Sequence, residues 1–306
     1  MATSHSSSRR RRVGIVGFGK LGQFLVEAIL TESVASERLE LAFVWNRTKD
    51  TVLGDPRVPA DAVLEDLSEF AGRKADLIIE VAHPNITKQY GAAFLASGAD
   101  YMCGSPTAFA DPDLERFAAD QAGRTGATTG SGRASGGLYI PSGALWGARD
   151  IQKMAQRGTL TGLRVTMRWH PSALRLRGSL LDKLAELREL PDFAAAQHLL
   201  YDGPVRALCP MAPNNVNTIA CAAMATGSAL GFDRTVGRIF VDASLEAHVI
   251  EIDVDGPLKH AGQRFTVATR RTNPAKPGAV TGSATYTSFL SSMVCAGGRG
   301  PGLHFC

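Results

Sequence analysis

The chain has 306 residues, 44% of them hydrophobic, with a formal net charge of +4. That size suits two lobes of a globular protein, and the longest apolar runs, such as Ile219 to Ala225, fall well short of the roughly 18 residues that a membrane span requires. Setting aside Arg9 to Arg12 leaves the remainder near neutrality, against a nucleic-acid face; five scattered cysteines without a CxxC pair argue against a disulfide framework or a zinc site, so no metal is expected and a reducing cytoplasm is the expected compartment.

Residues 1–11 read as a disordered leader: they are charged but run straight into the first strand, without the apolar core and cleavage site of a secretory signal. As a run, Arg9 to Arg12 also match a nuclear-localisation or phosphate-binding patch. Val13, Ile15 and Val16 then form a short apolar strand. Gly17, Phe18, Gly19, Lys20, Leu21 and Gly22 follow, and Leu21, Phe24, Leu25, Ala28 and Ile29 recur at helical spacing. A strand that turns through GxGxxG into a helix is what a dinucleotide needs. The first glycine permits a tight turn, the second admits the diphosphate to the backbone, and the third lets helix and strand pack closely. The diphosphate then rests at the positive end of the helix dipole, which makes a nicotinamide or flavin nucleotide the leading ligand.

Leu39 to Trp45 reads as the second strand, and Asp76 to Ala82 as a buried central strand before His83 and Pro84. Thr87 to Ala96 and Asp111 to Ala122 read as helices, the second capped by Asp111 with Pro112 in its first position. Asp100 to Cys103 is a short strand between them. Alternation of strand and helix predicts a parallel sheet. From about residue 140 the texture changes to Leu163–Trp169, Gly237–Asp242, His248–Val254 and Arg264–Arg270 as strands, with an alanine-rich helix from Asn215 to Ala229 and a charged helix or lid from Leu180 to Leu190. The expected fold class is α/β: a Rossmann-type parallel-sheet domain over 12–139 and an α+β substrate and dimerisation domain with an open mixed sheet over 140–270. The segment 271–306 is expected to pack back on the first domain or to be partly disordered.

The second strand ends Val44-Trp-Asn-Arg-Thr48. Asn46 suits either ribose, whereas Arg47 and Thr48 offer a cation and a donor to a 2′-phosphate where an NAD-specific domain carries an acid. NADP is therefore favoured, with NAD tolerated; Arg47 as a solvated loop cation is the plainer reading.

Four later runs, in order, resemble the L-aspartate dehydrogenase family, and in particular the mammalian-type members that carry an aspartate dehydrogenase domain. Gly104-Ser-Pro-Thr-Ala-Phe-Ala-Asp111 is similar to the family's Ser-Val-Gly-Ala-Leu-Ala-Asp beside the nicotinamide, with Pro106 and Thr107 departing from it. Ile140-Pro-Ser-Gly-Ala-Leu-Trp-Gly147 resembles Pro-Ser-Gly-Ala-Ile-Gly-Gly, Met211-Ala-Pro-Asn-Asn-Val-Asn217 resembles Phe-Pro-x-Asn-x-Asn, and Asn273-Pro-Ala-Lys276 resembles Asn-Pro-Lys-Thr-Ser. The resemblance implies NAD(P)-dependent oxidative deamination of L-aspartate to oxaloacetate and ammonia, or the reverse, by a homodimer. With it comes Ala108 as the matched cofactor contact, and Ala82, at the end of the central strand, is a further candidate. Independently, Asn215 and Asn217 open an alanine-rich helix after Pro213, where a carboxamide not used as a cap turns toward the cofactor, as assigned to Asn215, or the substrate, as assigned to Asn217. By its position before an alanine-rich helix, either Asn215 or Asn217 also suits a plain capping role.

One departure touches the chemistry. Deamination by hydride transfer needs a base for the substrate ammonium, and histidine is the natural one near neutral pH. Aligned with the family's Asn-x-His-Glu-Ile, the histidine position is Ile250, and His248 stands two residues earlier. Residues two apart on a strand share a face about 7 Å apart, so His248 is either a displaced base or the end of a core stripe; His83 and His170 are the substitutes. Arg168 and Arg175 flank the Trp-His-Pro segment and Ser142 offers a hydroxyl, which makes Arg168 and Ser142, with Asn217, the candidate substrate contacts. Catalytic loss at the family position would instead leave an NADPH-binding redox sensor or regulator, and a reductase of cyclic imines is a third reading. The tail, Ser291 to Cys306, is rich in glycine and proline and is expected to break any closing helix.

Overall fold

Val13, Ile15 and Val16 are withdrawn from water altogether, as a strand must be when helices cover both faces of its sheet. The computed structural model describes residues 9–124, 135–259, 262–280 and 282–306. The first sheet is built from β1 (Arg11–Val16), β2 (Leu39–Trp45), β3 (Leu77–Glu80), β4 (Asp100–Cys103) and β5 (Leu138–Ile140). β1 pairs in parallel with β2 on one side and β3 on the other, and β4 and β5 continue outward from β3. Helices Lys20–Thr31 and Pro84–Ala96 form crossovers. Because the chain leaves β1 in opposite directions, a crevice opens at the carboxyl ends of β1 and β3, the usual nucleotide position of a Rossmann-type sheet.

β6 (Gly162–Trp169), β7 (Gln197–Pro204), β8 (Val236–Asp242), β9 (Ala247–Leu258) and β10 (Arg264–Pro274) form a second sheet in the order β10-β9-β6-β8-β7. Only β6 and β8 run parallel, so the sheet is mixed, as expected. Along β9, Ile250, Ile252 and Val254 are buried while Glu251 is partly exposed and Asp253 exposed, the period-2 signature of a half-covered strand; before them His248 and Val249 are both buried. The cover is the helix Asn217–Thr226, in which every residue from Ile219 onward is buried. This helix is shorter than the expected Asn215–Ala229, because Gly227–Ala229 tighten into a 3-10 turn. One apolar core runs from Phe43 and Phe109 through Ala222 and Ala223 to Ile250, joining the two halves of the chain.

Several boundaries differ from the sequence reading. β1 begins at Arg11, inside the expected leader, and residues 1–8 lie outside the described residues. Arg9 pairs with Asp76 at 2.7 Å, Arg10 and Arg12 with Glu40, and Arg11 with Asp100, so these cations are paired with acids at the amino-terminal end of the sheet's strands instead of forming a free phosphate patch. Ile140 belongs to the first sheet and Arg271–Pro274 to the second.

The tail departs most. Ser283–Cys295 is helical, and Phe289 and Met293 are buried in the same cluster as Ile15 and Leu25. The apolar face precedes the glycines, which act only after the helix has ended: Gly297, Gly298, Gly300 and Gly302 take positive φ and turn the chain so that β11 (Leu303–Phe305) pairs in parallel with β5. Arg11 also donates to the Ala296 carbonyl at the helix end. Replacing Phe289 by Ala should therefore lower stability by about 3–5 kcal/mol, read as a fall in urea midpoint; an unchanged midpoint would show that this helix is not docked.

Candidate functional site

Gly17 has φ of +112°, and a Cβ there would lie 2.8 Å from that of Ala82; a Cβ on Gly22 would lie 2.1 Å from the Gly17 carbonyl oxygen. Neither position admits a side chain. Gly19 has no neighbour within 4 Å in the Cβ direction, and the helix it opens has no side-chain cap and no acid in its first turn. The first-turn N–H groups thus border open space under a positive helix end, which fits a diphosphate. Phe18 is buried and its N–H donates to Asn46 Oδ1 at 3.2 Å, while Asn46 Nδ2 donates to the Thr48 carbonyl at 3.0 Å, so Asn46 braces the turn. Lys20 and Arg47 are exposed beside it, with Leu21 half-buried. Burial first, then the charges of Arg177 and Arg47, hold the His83 imidazole below its ordinary pKa. Cations from both halves of the chain therefore act on the crevice.

Its floor is a residue that sequence reasoning passed over. Glu80, fully buried at the end of β3, accepts from the N–H groups of Ala82 at 2.6 Å and His83 at 2.8 Å and from Ser105 Oγ at 3.1 Å. It ties the β3 turn to the β4 turn. The signal in the sequence was a carboxylate ending an otherwise apolar strand. Burial raises its pKa to about 7 despite these donors.

A cavity of about 100 Å³ lies between the second sheet and the start of the helix Asn217–Thr226. Registry explains its lining. Met167 and Arg271 both pair with Ile250, and Asn273 pairs with His248; cross-strand partners share a face, so these side chains converge with Trp169 on the cavity. His248 packs on Trp169 with centroids 4.0 Å apart, and its Nε2 lies 2.8 Å from the Ala279 carbonyl. A carbonyl only accepts, so Nε2 carries the proton and Nδ1 of the neutral ring is left as the basic atom. Burial lowers its pKa. Two buried polar atoms of the lining, Trp169 Nε1 and Asn217 Oδ1, have no partner among the described residues.

Other expected residues lie elsewhere. Arg168 alternates to the opposite face, where it pairs with Glu251 at 2.9 Å and covers the Phe240 ring. Asn215 lines the cavity wall, but its Oδ1 accepts from Arg175 N–H at 2.7 Å and its Nδ2 donates to Ala173, so it pins a loop and is not free for a cofactor. Neither asparagine caps the helix, whose N-cap is Val216. Ser142 is absent from the cavity wall; its N–H donates to the Cys306 carbonyl, and Ala144 of the same run lines the cavity instead. His83 and His170 use Nδ1 to cap helical turns at Asn85 and Ser172. Ala82 lies against Gly17, and Ala108 is buried in the turn Pro106–Ala110.

Residues 150–292 match a family model described as aspartate dehydrogenase, C-terminal, and residues 17–129 match one described as homoserine dehydrogenase, NAD binding domain. The chain is 47% identical to an aspartate dehydrogenase domain-containing protein of Xenopus tropicalis, over 98% of this chain and 100% of that one. An L-aspartate dehydrogenase of Brucella anthropi is 27% identical over 85% of this chain and 88% of its own. Among solved structures, an aspartate dehydrogenase from Thermotoga maritima shares the fold with a TM-score of 0.61 over 94% of each chain, at 16% identity.

The buried Glu80 has a consequence for stability. Its folded pKa lies above the unfolded value, so the stability held in its protonated form is complete below the ordinary glutamate range and is lost as the pH rises through about 7. The Glu80→Gln variant should remove a loss of roughly 2–3 kcal/mol between pH 5 and pH 8, seen as a flatter pH dependence of the urea midpoint. Equal slopes in the two proteins would contradict the assignment.

Proposed function

The chain belongs to the aspartate dehydrogenase family and carries a nicotinamide-nucleotide-binding domain, and on that premise we propose that it catalyses NAD(P)-dependent deamination of L-aspartate to oxaloacetate and ammonia, or the reverse. The observation that carries this reading is His248, whose Nδ1 has no partner among the described residues, in a small cavity also lined by Asn217, whose Oδ1 is likewise unpartnered among them. When bound, the nicotinamide ring supplies the hydride acceptor or donor. Gly17 to Gly22 hold the diphosphate with backbone N–H groups, and Ala82 and Ala108 shape the crevice toward the ring. His248 Nδ1 takes a proton from the substrate ammonium, whose remaining N–H groups suit Asn217 Oδ1. The freed nitrogen lone pair then drives hydride departure from Cα, and water hydrolyses the resulting imine to the oxo acid and ammonia.

His248 thus stands in for the histidine that the family pattern places at Ile250. Its lowered pKa keeps the base form populated at neutral pH. The exposed Arg47, at the end of β2, favours NADP through charge-assisted bonds to a 2′-phosphate. Exposed Leu258, Phe265 and Val267 on β9 and β10 support a homodimer, and a cytoplasmic location agrees with five unpaired cysteines. No helix among the described residues is long and apolar enough to cross a membrane.

The test follows the appearance of NADPH absorbance with L-aspartate and NADP, the direction in which His248 must act as a base. Wild-type turnover should fall below the usual histidine pKa range, and His248→Gln should lose roughly 10²–10⁴ in kcat with unchanged NADPH affinity. Full turnover in that variant excludes His248 as the base, and tight NADPH binding without turnover in wild type favours the redox-sensor reading. For the coenzyme, Arg47→Asp should weaken NADPH by about 10- to 100-fold and NADH far less in fluorescence titrations; equal losses remove the NADP preference.

A further inference from the structure

Among the described residues, two arginines of the second sheet, Arg164 and Arg271, have no carboxylate partner, and of the two Arg164 is exposed whereas Arg271 is half-buried. On the outer face Arg168 and Arg270 share Glu251, while Arg238 pairs with Asp202 and Arg264 with Asp255. Arg271 lies on the inner face, lines the cavity, and has no carboxylate within ion-pair distance among the described residues. Burial lowers its pKa with no compensating acid. A half-buried cation without a counter-ion is costly, and here it lines the same cavity as Trp169, whose buried indole Nε1–H has no partner among the described residues. Such a wall lacks an anion.

We propose that Arg271 is the specificity-determining residue of this cavity, its guanidinium and Trp169 Nε1–H holding the carboxylate at the far end of a small dicarboxylic amino acid. The assignment rests on the amino-acid dehydrogenase reading above for the position of the amine. Arg271 pairs across the ladder with Ile250, one same-face row from His248, and such rows are about 7 Å apart. A side-chain carboxylate two carbons from the amine spans more of that interval than the α-carboxylate, which is bonded to the reacting carbon itself. A monocarboxylic amino acid leaves Arg271 and Trp169 unpaired and desolvated, which is how a polar site rejects an analogue that lacks the matching group.

The experiment titrates the full chain, saturated with NADP, calorimetrically with succinate and with butyrate. Wild type should prefer succinate, and Arg271→Gln should weaken succinate by about 10- to 100-fold while leaving butyrate and NADP binding unchanged. If the glutamine variant does not fold, Arg271→Lys keeps the charge but not the two-pronged geometry, and a selective loss of about 5- to 10-fold is expected. Unchanged succinate affinity in the variant tested, equal loss for both acids, or no succinate preference in wild type overturns the assignment. Succinate selectivity that depends on Arg271 in a protein without aspartate turnover keeps the anchor and removes the dehydrogenase reading. Aspartate turnover with succinate binding indifferent to Arg271 does the reverse.

Discussion

Helix Asn217–Thr226 has no solvent-facing side from Ile219 onward, so its position is set by what touches it on all sides. One neighbour is the second sheet and another is the turn Pro106–Ala110 beside the nucleotide crevice, with which it shares an apolar core. Alanine at 220, 222, 223 and 225 lets the backbones approach closely, and close-packed contacts transmit displacement because voids are costly. The helix therefore holds its first residue, Asn217, over the sheet face that carries His248. It also fixes the distance between that face and the glycine loop.

The two faces of the second sheet divide the electrostatic work. Outward, arginines and acids neutralise one another in partly solvated pairs worth little individually. Inward, the polar groups are fewer and incompletely satisfied. His248 is held by one carbonyl, Asn217 and Trp169 each present an orphaned atom, and Arg271 has no counter-ion among the described residues. Unsatisfied buried polar groups are rare because each costs free energy. Their convergence in one small cavity is the observation on which the proposed site rests. Glu80 shows the contrasting treatment: more deeply buried, but surrounded by backbone and hydroxyl donors that hold two turns together.

The glycine loop, its strand and helix, the parallel sheet and most strands of the second sheet were legible in the amino-acid order, because each depends on local periodicity or on φ values that only glycine tolerates. The closing helix departs from what the composition of the tail implies. Its apolar residues, Phe289 and Met293, precede the glycines, and composition over the whole tail concealed a boundary that position makes plain. β11 was invisible for another reason. Three residues carry no strand signal of their own and become a strand only because the edge of β5 offers unpaired backbone groups.

For the site, sequence alone determined that a backbone cradle for a diphosphate stands at the first βα turn, and that His248 and Ile250 share a strand face. Only the tertiary structure decided which cations serve the cavity. Arg168 and Arg271 are both arginines on strands of one sheet, and no local pattern ranks them; pairing registry sends Arg168 outward to Glu251 and Arg271 inward beside Ile250. The same holds for Asn215 and Asn217, neighbours in a polar run of which one is consumed by Arg175 and Ala173 and the other has an oxygen without a partner among the described residues. The reason is physical: what a polar side chain can do depends on which of its bonds are already made, and those partners lie about 40 to 80 residues away along the chain.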